Sequence, residues 1–181
     1  MKKSILIIVV VSAFAFSAFS QKLVTTKSQL KIFSHTVAED IQASNTKAVG
    51  TVTTETGEVV FSIPMQSFEF AKALMQKHYN SPKFLDTKQF PKAKLIGKIT
   101  NLSSVNFKKD GTYTANVSGT LELHGVTKPV KEKAIVTVKG GVVSVTSKIN
   151  IVLADYKIAF EKGKPSTNIA KTIEVGVDAT F

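Results

Sequence analysis

The chain has 181 residues and a formal net charge of +11, with 24 lysines set against 13 acidic residues and with neither arginine nor cysteine. Lack of cysteine excludes disulfides and thiol chemistry, so the fold rests on packing and hydrogen bonding. Lack of arginine removes the bidentate contacts that read nucleic acid, and leaves the charge either to attract anionic lipid head groups or an acidic partner, or to form a solvated basic surface.

Met1-Lys2-Lys3 followed by an apolar run from Ile5 to Phe19 has the pattern of a secretory signal peptide. The small residues of Ala18-Phe19-Ser20 put the cut between Ser20 and Gln21. The run is shorter and more serine-broken than a membrane span of roughly 20 residues, and no cysteine follows it to carry a lipid anchor. The expected division is a signal peptide over 1–20 and one domain over 21–181, periplasmic or secreted, with no stable membrane span after cleavage.

Most of 21–181 reads as β-strand, because apolar residues recur with period two. Strands are expected over 28–37, 46–54 and 57–65. Next, Phe70, Leu74 and His78 recur at four-residue spacing, which predicts a helix over 67–79 capped by Ser67 and ended by Asn80-Ser81-Pro82. A connection holding Phe84, Leu85 and Phe90 runs on to Pro91, and its apolar side chains fit a lid over one mouth of the sheet. Strands follow over 92–104, 111–123, 126–139, 142–154 and 169–181. Glu55-Thr56-Gly57, Lys109-Asp110-Gly111, His124-Gly125 and Gly140-Gly141 punctuate them as hairpin turns. Eight antiparallel strands with one apolar face each predict an all-β, closed, lipocalin-like barrel with a short helix and loop over one mouth.

Several separated segments, in order, resemble the YceI-like, polyisoprenoid-binding-like family over nearly all of 21–181. The most specific is Gly119-Thr120-Leu121-Glu122-Leu123-His124-Gly125-Val126-Thr127-Lys128-Pro129-Val130. Ser67-Phe68-Glu69-Phe70, the run from Met75 to Asn80, the run from Phe90 to Gly97 and the run from Leu153 to Ile158 also match. The resemblance implies an eight-stranded barrel whose interior accommodates a long isoprenoid or other amphiphilic chain in an exported protein. The sequence departs in its polar early strands, with Ser44, Asn45, Thr46, Thr51, Thr53 and Thr54, so a less greasy N-terminal side of the pocket is expected.

Phe61, Ile63, Met65, Phe68, Phe70, Leu74, Met75, Phe84 and Phe90 cluster where the third strand gives way to helix and loop. They either line a cavity mouth, with methionine and phenylalanine as an adaptable wall, or fill a core beneath the helix. Leu95, Ile99, Tyr113, Val117, Leu121 and Val136, with Ile149, Ile151, Ile173, Val175 and Val177, complete the wall if the strand parity holds; a one-residue slip turns them outward. Ala93, Gly97, Ala115, Gly119 and Ala134 either leave room for a guest or serve curvature and close packing. His124 either bonds a ligand head group or holds its turn together. His35, His78 and His124 show no metal-site spacing. No nucleophile–base pattern, carboxylate pair or phosphate-cradling loop points to catalysis or a cofactor. The expected function is therefore binding of an amphiphilic lipid or polyisoprenoid, without enzymatic activity and with oligomeric state open. An outer-membrane-type barrel, suggested by the alternation up to Phe181, and a secreted interaction module with a filled core are the competing readings.

Overall fold

The computed structural model describes residues 21–158 and 168–181, so the expected signal peptide at 1–20 lies outside the described residues. One antiparallel, barrel-like sheet holds the strands in the order β1-β4-β5-β7-β8-β9-β10-β11-β2-β3-β6. These are β1 (Lys22–Val24), β2 (Lys27–His35), β3 (Asp40–Asn45), β4 (Val49–Thr53), β5 (Glu58–Pro64), β6 (Glu69–Phe70), β7 (Lys92–Ile99), β8 (Gly111–Leu123), β9 (Val126–Lys139), β10 (Val142–Val152) and β11 (Thr172–Thr180). The single α-helix among the described residues is α1 (Ala73–Asn80).

Eleven strands replace the expected eight because the early part of the chain turns corners. β1 and β2 are two halves of one bent strand: β1 pairs with β4 and β2 with β11. The bend at Thr25-Thr26 is pinned from both sides, since Thr25 N donates to Gly50 O at 2.9 Å and Thr26 N to Thr180 O at 2.8 Å. The curled sheet thereby brings its two flanks together through its own chain. The second corner lies at the start of the strand expected over 46–54: β4 covers only Val49–Thr53, and β3 (Asp40–Asn45) precedes it where no strand was expected. Asn45, only 1% exposed, holds that corner by accepting from Lys47 N at 2.8 Å through Oδ1 and donating from Nδ2 to Pro64 O at 2.8 Å. Ser28 Oγ donates to Ala48 O across the same corner at 2.6 Å.

The expected helix over 67–79 is also shortened. Met65–Ser67 form a 3-10 turn and Glu69–Phe70 pair with β3, so Ser67 caps nothing. The helix begins only after Lys72, without a side-chain cap. The four-residue spacing from Phe70 is not a helical face here: Phe70 belongs to a strand, its N–H donating to Gln76 Oε1 at 3.1 Å, and Leu74 is 63% exposed. β7 ends at Ile99 and β10 at Val152, each running into a 3-10 turn before the expected strand end.

The later strands follow the alternation closely. Ala115, Leu121 and Leu123 of β8 and Ala134, Val136 and Val138 of β9 are buried, and the lysines between them, such as Lys131 and Lys133, are exposed. Two apolar clusters result. One, with Leu30, Phe68, Tyr79, Leu121, Leu153 and Ile158, lies at the α1 end. The other, with Val52, Val59, Ile99, Val136 and Val143, lies toward the opposite turns.

Candidate functional site

The strand alternation that buries one face of each hairpin leaves space between the walls. A cavity of about 710 Å³ runs through the barrel past residues of both apolar clusters, within the size range of small-molecule pockets. Its walls come from nearly every long strand. Phe61, Ile63, Leu95, Ile99, Val117 and Leu121 line it on one side, and Val136, Ile149, Ile151, Ile173, Val175 and Val177 on the other. Met65, Phe68, Phe70, Met75 and Phe84 line it at the end covered by α1 and the following loop. The sheet is therefore hollow, where the sequence left hollow and filled barrels equal.

Four expected site residues lie off this lining. Leu74 faces solvent on α1, because the inward side of that short helix carries Met75, His78 and Tyr79 instead. Phe90 packs its ring edge against His124, with centroids 4.5 Å apart. Tyr113 turns back to its own hairpin, donating its hydroxyl to Lys109 O at 2.8 Å. His124 takes a left-handed φ of 51°, followed by Gly125 at 70°, the pair of positive values that a tight hairpin turn needs. Its Nδ1 lies 3.0 Å from Tyr156 O, so the residue that carried the head-group expectation ties the β8–β9 turn to the segment after β10.

The small residues divide. Ala93, Ala115 and Ala134 line the cavity and leave room in it. Gly119 instead stands opposite Gly97, where an added Cβ would fall 2.1 Å from Ile96 O, so it serves close approach of two backbones.

On the early-strand side, Ser44, Asn45, Thr46, Thr51, Thr53 and Thr54 lie off the lining, which takes Leu30, Ile32, Ile41 and Val52 beside Ser34 and Glu39. Thr51 and Thr53 flank Val52, which is 5% exposed and lines the cavity with Leu30, Ile32 and Val59. The signal was present as alternation in Leu30-x-Ile32 but was masked by the threonines. Val130, Phe107 and Ile158 are further lining residues that the sequence reading did not single out.

Polar groups on the lining are few. At the helix end stand Glu39, His78, Tyr79, Ser81 and Lys83, with Glu39 Oε1 held at 2.9 Å by Lys72 Nζ. The Tyr79 hydroxyl is buried without a hydrogen-bond partner among the described residues, and burial pushes its pKa far above the ordinary tyrosine range. Glu132, on the inner face of β9, also lines the cavity, and burial raises its carboxyl above the ordinary range. Tyr156 is raised by burial first, then by the charges of Asp155 and Glu132. The three histidines are in separate settings: His35 against Asp40 Oδ1 at 2.6 Å, His78 at the mouth, His124 in its turn.

Outside, β7 presents Lys92, Lys94 and Lys98, all exposed. An apolar lumen inside a lysine-bearing exterior is the reverse of the lipid-facing, polar-lumened membrane barrel.

Comparison with known proteins places this geometry. The model of the YceI-like domain matches residues 21–181. A UPF0312 protein of Pseudomonas putida strain W619 is 48% identical over 58 residues, covering 32% of this chain. The aligned part is 27% of that relative, so the chain spans about a quarter of the length of the curated relatives it matches. Among solved structures, a polyisoprenoid binding domain from Saccharophagus degradans, implicated in plant cell wall breakdown, superposes with a TM-score of 0.73 at 17% identity, covering 89% of this chain and 97% of that one. BcnA of Burkholderia cenocepacia gives 0.71 at 15% identity over 85% of this chain and 96% of its own. At these identities the likeness is one of fold.

Proposed function

The chain belongs to the YceI-like domain family, and from that premise we propose that it is an exported carrier holding the hydrocarbon part of an amphiphilic lipid or isoprenoid inside its barrel. The observation that carries the reading is the apolar-walled cavity of about 710 Å³. Each methylene moved from water into such a wall gains about 0.8 kcal/mol, so a chain of many methylenes binds without needing a charged anchor. The description of the Saccharophagus degradans relative as a polyisoprenoid binding domain supports the same ligand class. The role is binding, with no chemical step.

Export rests on the pattern of residues 1–20, and the periplasm or the medium is the destination it supports. N-terminal sequencing of protein recovered from the periplasm is expected to begin at Gln21. The ligand is tested by native mass spectrometry of periplasmically expressed protein followed by organic extraction. A co-purifying hydrocarbon is expected; an empty spectrum together with no uptake of isoprenoid quinones or prenyl phosphates overturns the carrier.

A further inference from the structure

We propose that the Glu132 carboxyl is the polar anchor of the cavity, receiving an uncharged hydrogen-bonding group, a carbonyl or hydroxyl, of a lipid whose apolar parts extend along the walls around it. The inference rests on the carrier reading and deepens it by naming the ligand's polar chemistry.

The placement follows from β9. Val130, Ala134 and Val136 line the cavity and Lys131 and Lys133 are exposed, so alternation puts Glu132 among the inward residues. Val117 stands opposite it on β8. Along β9 its inward neighbours belong to different halves of the interior: Val130 packs on the cluster at the α1 end, Val136 within the cluster at the far end. The carboxyl thus sits at the waist of the barrel with apolar wall above and below.

Glu132 makes no hydrogen bond or ion pair among the described residues, unlike Glu39 at the mouth, which is held by Lys72. Leaving a carboxylate in such surroundings is unfavourable. Valine or leucine at this position would continue the wall at no such cost, which points to a use in binding. The rise in its pKa has burial as its cause and favours the neutral acid. A carboxylic acid donates to a carbonyl and accepts from a hydroxyl, so it suits either uncharged group. An anionic group at the same depth would either have to hold Glu132 protonated or face its carboxylate across a medium of low dielectric, a cost that an uncharged group does not meet. The remaining titratable groups on the lining, Glu39, His78, Tyr79 and Lys83, belong to the mouth.

The test uses two probes with the same isoprenoid hydrocarbon, all-trans-retinol and its carboxylate counterpart, retinoate, titrated at neutral pH into wild type, Glu132→Gln and Glu132→Leu. Wild type is expected to favour retinol. Glu132→Leu is expected to weaken retinol by about three- to tenfold, the worth of one hydrogen bond, and to strengthen retinoate. Glu132→Gln is expected to keep retinol affinity, because the amide still bonds, while also admitting retinoate. An unchanged retinol-to-retinoate ratio in both variants, with both probes still bound, overturns the anchor and leaves the carrier standing. Binding of neither probe by wild type overturns the two together. Should Glu132→Leu fail to fold, the retinoate gain in Glu132→Gln decides alone.

Discussion

Tyr79 packs against Phe68 and Phe70, its ring centroid 5.8 and 4.9 Å from theirs, and its hydroxyl finds no partner among the described residues. A buried polar group left unsatisfied costs about 1–3 kcal/mol, so Tyr79→Phe is expected to stabilise the ligand-free protein by roughly 1 kcal/mol, read from urea denaturation. Glu132 makes a prediction with a definite sign. Its folded-state pKa is raised by burial, so the folded chain holds its proton at pH values where the unfolded chain, near the usual value of about 4.3, has lost it. Stability therefore falls as pH rises from the unfolded value through the folded one. Glu132→Gln is expected to flatten that fall and to melt higher than wild type at pH 7, as thermal scans between pH 4 and 8 will show. Neither residue was legible as special in the sequence: Glu132 reads as one of many scattered acids, and its setting comes from the strands that close around it.

At the level of elements, the long hairpins β7–β8 and β8–β9 were readable because each carries its own alternation and turn residues, and both are local. Gly119 shows what local reading leaves open, since curvature, cavity space and close packing all call for a small residue there. Facing Gly97 across β7–β8, it permits a backbone approach that any Cβ would obstruct. Gly119→Ala is expected to destabilise by about 1–3 kcal/mol through overpacking, measured by the shift in denaturation midpoint. The segment 67–79 reads as one helix because Phe70, Leu74 and His78 fit a helical period. Pairing of Glu69–Phe70 with β3 overrides it, and that pairing depends on a strand 25 residues or more upstream.

For the whole molecule, the hollow interior is the property that matters, and it responds to volume. Val117 lines the cavity on β8, opposite Glu132. Val117→Phe is expected to narrow the lumen and reduce uptake of a hydrocarbon probe by tenfold or more, while the extra apolar contact keeps the melting temperature at or above that of wild type; fluorescence titration and calorimetry on the same sample check both halves. Strand alternation, hairpin turns, the all-β class and most of the inward faces are written in the amino-acid order, because side-chain parity and turn chemistry depend on neighbours only a few residues apart. Long-range pairing settles the rest: β1 and β2 bend to join the flanks of the sheet, the space between the walls is left open, and Glu132 sits between apolar walls at its waist. Those outcomes depend on which distant strands pair and how sharply the sheet curls, and no local period encodes either.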